Sequence, residues 1–147
     1  MAFRFTLAPL LRLRQSIERQ RTLKLQEANL QVSRAQEKLA QLERSLAEST
    51  RSDAVALQAG RSAAELQFAS VLRENLHIFR QELQSDILKL ELVRQEALGD
   101  YHQAYREREV LETLRGRERR VYQQEQIRHQ QRELDATYLL QRWYRQD

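Results

Sequence analysis

The chain has 147 residues, no cysteine, one proline, three glycines and a formal net charge of +4. The lack of thiols excludes disulfide staples and thiolate metal sites and agrees with a reducing compartment. With 31% charged residues the chain cannot enclose a thick core, so its apolar residues are expected to line a thin seam between long helices.

The first stretch, FRFTLAPLLRLRQSIERQ, is too polar for a secretory leader, because the apolar run LAPLL is followed at once by Arg12 and Arg14. That run is also far short of the roughly 20 residues that cross a bilayer, so a cytoplasmic protein is expected. The stretch instead reads as a helix start. Thr6 is the expected N-cap, Pro9 falls in the first turn, where its missing N–H does no harm, and Phe5 with Leu10 has the spacing of a hydrophobic staple.

From there a heptad seam runs through Leu7, Leu11, Arg14, Glu18, Arg21, Leu25, Ala28, Val32, Ala35, Leu39, Leu42 and Leu46. The first helix is expected over about 6–59, and a turn over about 60–62, with Gly60 ending one helix and Ser62 to Glu65 forming a capping box for the next. The second helix is expected over about 63–145. Its seam, counted from Leu76, takes Phe79, Leu83, Asp86, Leu90, Val93, Ala97, Asp100, Ala104, Glu107, Leu111 and Leu114.

The expected fold is therefore all-α, a single long antiparallel two-helix coiled-coil hairpin over 1–147 with the second helix longer than the first. Antiparallel pairing sets Leu46 against Leu76, Leu39 against Leu83, Val32 against Leu90 and Leu11 against Leu111. It also brings Arg21 to Asp100 and Arg14 to Glu107, whereas a half-heptad slip would set Glu18 against Asp100 or Glu107. The first helix is used up opposite residue 119 or so, which leaves an overhang rich in apolar groups: Val121, Tyr122, Ile127, Leu134, Tyr138, Leu139, Leu140, Trp143 and Tyr144. Such a surface expects another protein. Gly99 and Gly116 interrupt the second helix, either as tolerated drift or as soft points.

Little in the chain suggests reaction chemistry. Glu74 and His77 have the spacing of half a di-iron bundle site, but no second copy exists, and His102 and His129 read as lacking a partner three or four residues on. There is no phosphate-cradling glycine loop and no nucleophile elbow, so no enzyme, cofactor, metal or small-molecule substrate is expected. Charge is unevenly spread. Residues 1–25 hold six basic and one acidic side chain, 26–114 eleven and fifteen, and 115–147 eight and five. The basic ends carry interleaved acids and no groove-reading motif, so no nucleic-acid partner is expected.

Three segments in order, FRFTLAPLLRLRQSIERQ, LQEANLQVSRAQEKLAQL and QQRELDATYLLQRW, together resemble the FliJ family of the bacterial flagellar type III export apparatus. The resemblance implies a protein like the central stalk of a rotary ATPase. Such a stalk would bind and activate the hexameric export ATPase, link it to the export gate membrane protein, and help escort export chaperones. It also implies a cytoplasmic location with peripheral association at the inner membrane. On this reading the ATPase-ring contact falls on Arg12, Arg14, Arg19, Arg21, Tyr122, Ile127, Leu134, Tyr138 and Trp143. The gate contact falls on Leu42, Leu72, Leu76 and Phe79, although the expected register makes Leu42, Leu76 and Phe79 seam residues too. The alternatives are the equivalent stalk of a virulence-type secretion system, and a coiled-coil adaptor or dimerisation rod.

Overall fold

A computed structural model describes residues 2–145. Two helices pack antiparallel as a hairpin, α1 over Ala8–Gln58 and the longer α2 over Ala63–Tyr144. Among the described residues no helix is long and apolar enough to cross a membrane.

The start of α1 differs from expectation. Thr6 lies in a turn, and the first helical bond runs from the Leu11 N–H to the Leu7 carbonyl, so Leu7 rather than Thr6 caps the helix. Phe5 is buried with Leu11 and Leu111, while Leu10, its expected staple partner, stays partly in water. The better-covered site across the seam wins the aromatic ring.

The turn follows the sequence closely. Gly60 has φ of +78°, and the Arg61 N–H reaches back to the Ala56 carbonyl at 3.4 Å, closing α1 as a Schellman-type end. Ser62 Oγ accepts from the Glu65 N–H at 3.4 Å, which caps α2. The return half of the capping box is replaced, because the Glu65 carboxylate lies 4.0 Å from Arg61.

The chain forms two compact units, residues 1–19 with 103–147, and residues 20–102. In the first, Phe5 and Leu11 pack on Leu111, Ala104 is buried as well, and the Phe3 ring lies 5.7 Å from that of Tyr122. Arg14 pairs with Glu107 as expected. In the second, Ala28, Val32, Ala35, Leu46 and Ala56 of α1 are buried, with Leu76, Leu83, Ile87 and Leu90 of α2 half-buried. Here Arg21 meets Asp100 at 3.0 Å, again as expected. Among the described residues no side chain is wholly excluded from water, as befits a seam only one layer thick.

The α2 seam is half right in the sequence. Leu76, Leu83, Leu90, Ala97, Ala104 and Leu111 do turn away from water, but the alternate positions are Arg80, Ile87, Arg94, Tyr101 and Arg108. The expected Phe79, Asp86, Val93 and Asp100 are exposed, Glu107 sits beside the seam, and Leu114 is partly exposed. Arginine explains the difference. Its aliphatic stem covers apolar surface while its head reaches a carboxylate, so it serves at a seam position that apolar counting assigns to the neighbouring residue. Arg80 meets Glu43 at 3.5 Å, and Arg73 pairs with Asp53 in the same way.

Candidate functional site

Consider first the overhang of α2. Tyr122 belongs to the hairpin rather than to the overhang, since it is half-buried under Phe3. Ile127, Leu134, Tyr138 and Trp143 are all exposed, and so are Leu139, Leu140 and Tyr144 beside them. At 100° per residue, Leu139, Leu140, Trp143 and Tyr144 share one broad face and Tyr138 stands on the opposite side, with Gln141 and Arg142 between them. Trp143 keeps 69% and Tyr144 78% of its surface in water. A helix with apolar groups on opposite sides needs cover from more than one direction, whereas one with a single apolar stripe rests against one neighbour.

The four arginines assigned to the same contact are not equivalent. Arg12 and Arg19 are exposed, while Arg14 is half-buried against Glu107. Arg21 belongs to the other compact unit and is engaged by Asp100. Sequence reasoning missed Arg4 and Arg115, which join Arg12 around a concavity walled by Phe3, Phe5 and Pro9. The signal was there in the dense run RGRERR from Arg115 to Arg120.

Turning to the four residues assigned to the gate, the structure separates them. Leu42 and Leu76 are half-buried in the seam, whereas Leu72 and Phe79 face outward, Phe79 with 55% of its surface in water. Phe79 is therefore not a seam residue. Phe68, Val71 and Ile78 continue the same exposed apolar side of α2. Phe68 was missed because its neighbour Ala69 takes the seam position.

The histidines are dispersed. His129 does have a partner four residues on, contrary to the sequence reading, since its Nδ1 is 3.3 Å from the Glu133 carboxylate. Among the described residues no three His, Asp or Glu side chains gather closely enough to hold a metal.

Compared with known families, the chain matches the model described as "Flagellar FliJ protein" over residues 3–147. The chain belongs to the FliJ family. A comparison with curated proteins gave no match, and neither did one with solved structures. Membership makes it a component of the flagellar protein export apparatus and favours the flagellar reading over the virulence-type alternative. The family is a non-catalytic part of that apparatus.

Proposed function

We propose that this FliJ-family chain acts as a central stalk that enters the hexameric export ATPase and raises its activity. The observation that carries the reading is the tip of α2, where Leu139, Leu140, Trp143 and Tyr144 on one face and Tyr138 on the opposite side leave apolar side chains exposed on two sides of the helix. A flat partner surface would cover one side and leave the rest in water. An enclosing socket covers all of them, and the central opening of a ring has that shape. Exposed Arg12 and Arg19 lie in the same compact unit as the tip and serve the rim of the contact, while Arg14 and Arg21 chiefly hold the hairpin.

The gate contact is assigned to the outward face of α2, with Leu72 and Phe79 making it and Phe68 extending it. Leu42 and Leu76 support that face from the seam. Through these two surfaces the chain links the ATPase to the export gate at the inner membrane, and it hands on export chaperones there.

The test measures ATP hydrolysis by the export ATPase of the same genome, at concentrations where the ATPase alone is mostly monomeric. Full-length protein is expected to raise the rate several-fold with ring formation, and a chain lacking residues 123–147 to give no rise while keeping its helical spectrum. Equal stimulation by the truncated chain would show that the tip has another role. A tight dimer that buries the tip would support the adaptor rod instead.

A further inference from the structure

We propose that the concavity beside the start of α1 binds an acidic peptide segment of a partner protein, with Arg4, Arg12 and Arg115 holding its carboxylates. All three arginines are exposed and line the concavity, and among the described residues none makes an ion pair or a side-chain hydrogen bond. That sets them apart from Arg14, Arg21, Arg73, Arg80 and Arg108, each of which has an acidic partner. Three like charges around one hollow repel each other, and no acidic residue in the first turn of α1 offsets the positive helix end beside them. A bound anion relieves both.

The walls decide what kind of anion. Phe3, Phe5 and Pro9 give the hollow an apolar side, so the occupant carries carboxylates next to apolar side chains. The guanidinium fork matches a carboxylate with two parallel hydrogen bonds. A nucleic-acid strand would need an open aromatic face for its bases, and the Phe5 ring is packed against Leu11 and Leu111. A bilayer presents its headgroups as a plane, which meets protruding cations better than cations lining a hollow.

The inference deepens the stalk reading, since it names the chemistry of a partner that meets this end of the chain. The experiment titrates the full-length chain into a fluorescent decapeptide of alternating glutamate and leucine, with a glutamine-and-leucine peptide as control. The acidic peptide is expected to bind saturably, and more weakly as salt is raised. The R4Q/R12Q/R115Q chain is expected to lose at least about tenfold in affinity, equivalent to about 1.4 kcal/mol. R115Q alone, on the exposed face of α2, gives a smaller loss and serves if the triple variant unfolds.

Equal binding of the control peptide, or full affinity in both variants, overturns the proposal. So does arginine-dependent binding of pyrophosphate or phosphatidylglycerol vesicles with none of the peptide, which would make the site a phosphate site. Removing residues 123–147 leaves all three arginines in place, so peptide binding survives that truncation whether or not ATPase stimulation does.

Discussion

Arg108 on α2 lies 2.5 Å from the carboxylate of Glu18 on α1, and the same guanidinium is 2.9 Å from Glu112. Its side chain is mostly covered, and its Cζ stands 5.0 Å above the centre of the Tyr105 ring. Partial burial by itself would lower the pKa of this guanidinium. The hydrogen bond with Glu112 and the charge of Glu18 outweigh that effect and hold it above its ordinary value. Arg108 thus stays charged throughout the working pH range and fastens the two helices near the base of the hairpin.

Replacing Arg108 with alanine is expected to lower stability by about 1–2 kcal/mol, because it removes both the charge partner of Glu18 and the stem that covers the seam. Glu18→Gln should have a smaller effect in the same direction. Urea unfolding of both single variants and the double variant gives the coupling between them. A coupling near zero would mean that the pair behaves like any exposed ion pair.

The pairing of Arg14 with Glu107 gives a test of register. Arg14→Glu alone, or Glu107→Arg alone, places like charges across the seam and is expected to cost about 0.5–1 kcal/mol. Making both changes together restores an attractive pair and most of the stability. Thermal melts of the three variants at low salt check this, and a double variant no better than the singles would move the determinant of register elsewhere.

How far the sequence disclosed this arrangement can be followed residue by residue. Leucines at steps of three and four gave the α1 seam from Leu11 to Leu46, and Gly60 with Ser62 marked the turn, since left-handed backbone and capping demand particular residue types. The α2 seam was harder because both phases carry apolar residues. Counting hydrophobicity picks Phe79 and Val93, whereas Arg80 and Arg94 take the places by laying their stems along the seam. Arg4 and Arg115 escaped notice for a related reason. They are 111 positions apart, and only the fold brings them around one hollow.

The two phases of α2 predict opposite outcomes at neighbouring sites. Leu76→Ala removes a half-buried seam residue and is expected to cost about 1–2 kcal/mol, below the range for full burial. Phe79→Ala removes an exposed ring and should change stability by less than about 0.5 kcal/mol. If the outward face of α2 meets the export gate, the same Phe79→Ala change reduces pull-down of the gate protein by the folded chain. A large loss of stability in Phe79→Ala would return that residue to the seam.

Gly99 and Gly116 lie inside α2 with ordinary helical backbone, and a methyl group added at either would meet nothing within 4 Å. Glycine at such a position loses more backbone freedom on folding than alanine does. Gly99→Ala and Gly116→Ala are therefore each expected to stabilise the hairpin by roughly 0.5–1 kcal/mol. Gly60→Ala runs the other way, losing about 1 kcal/mol or more, because its φ of +78° is strained for any residue with a Cβ. Calorimetric melts read all three. The two helix variants also decide between tolerated drift and a working soft point. If the glycines are drift, the stabilised chains stimulate the export ATPase as well as the parent does. If bending at either glycine is part of the stalk's action, that variant melts higher and stimulates less, a separation that simple loss of structure cannot produce.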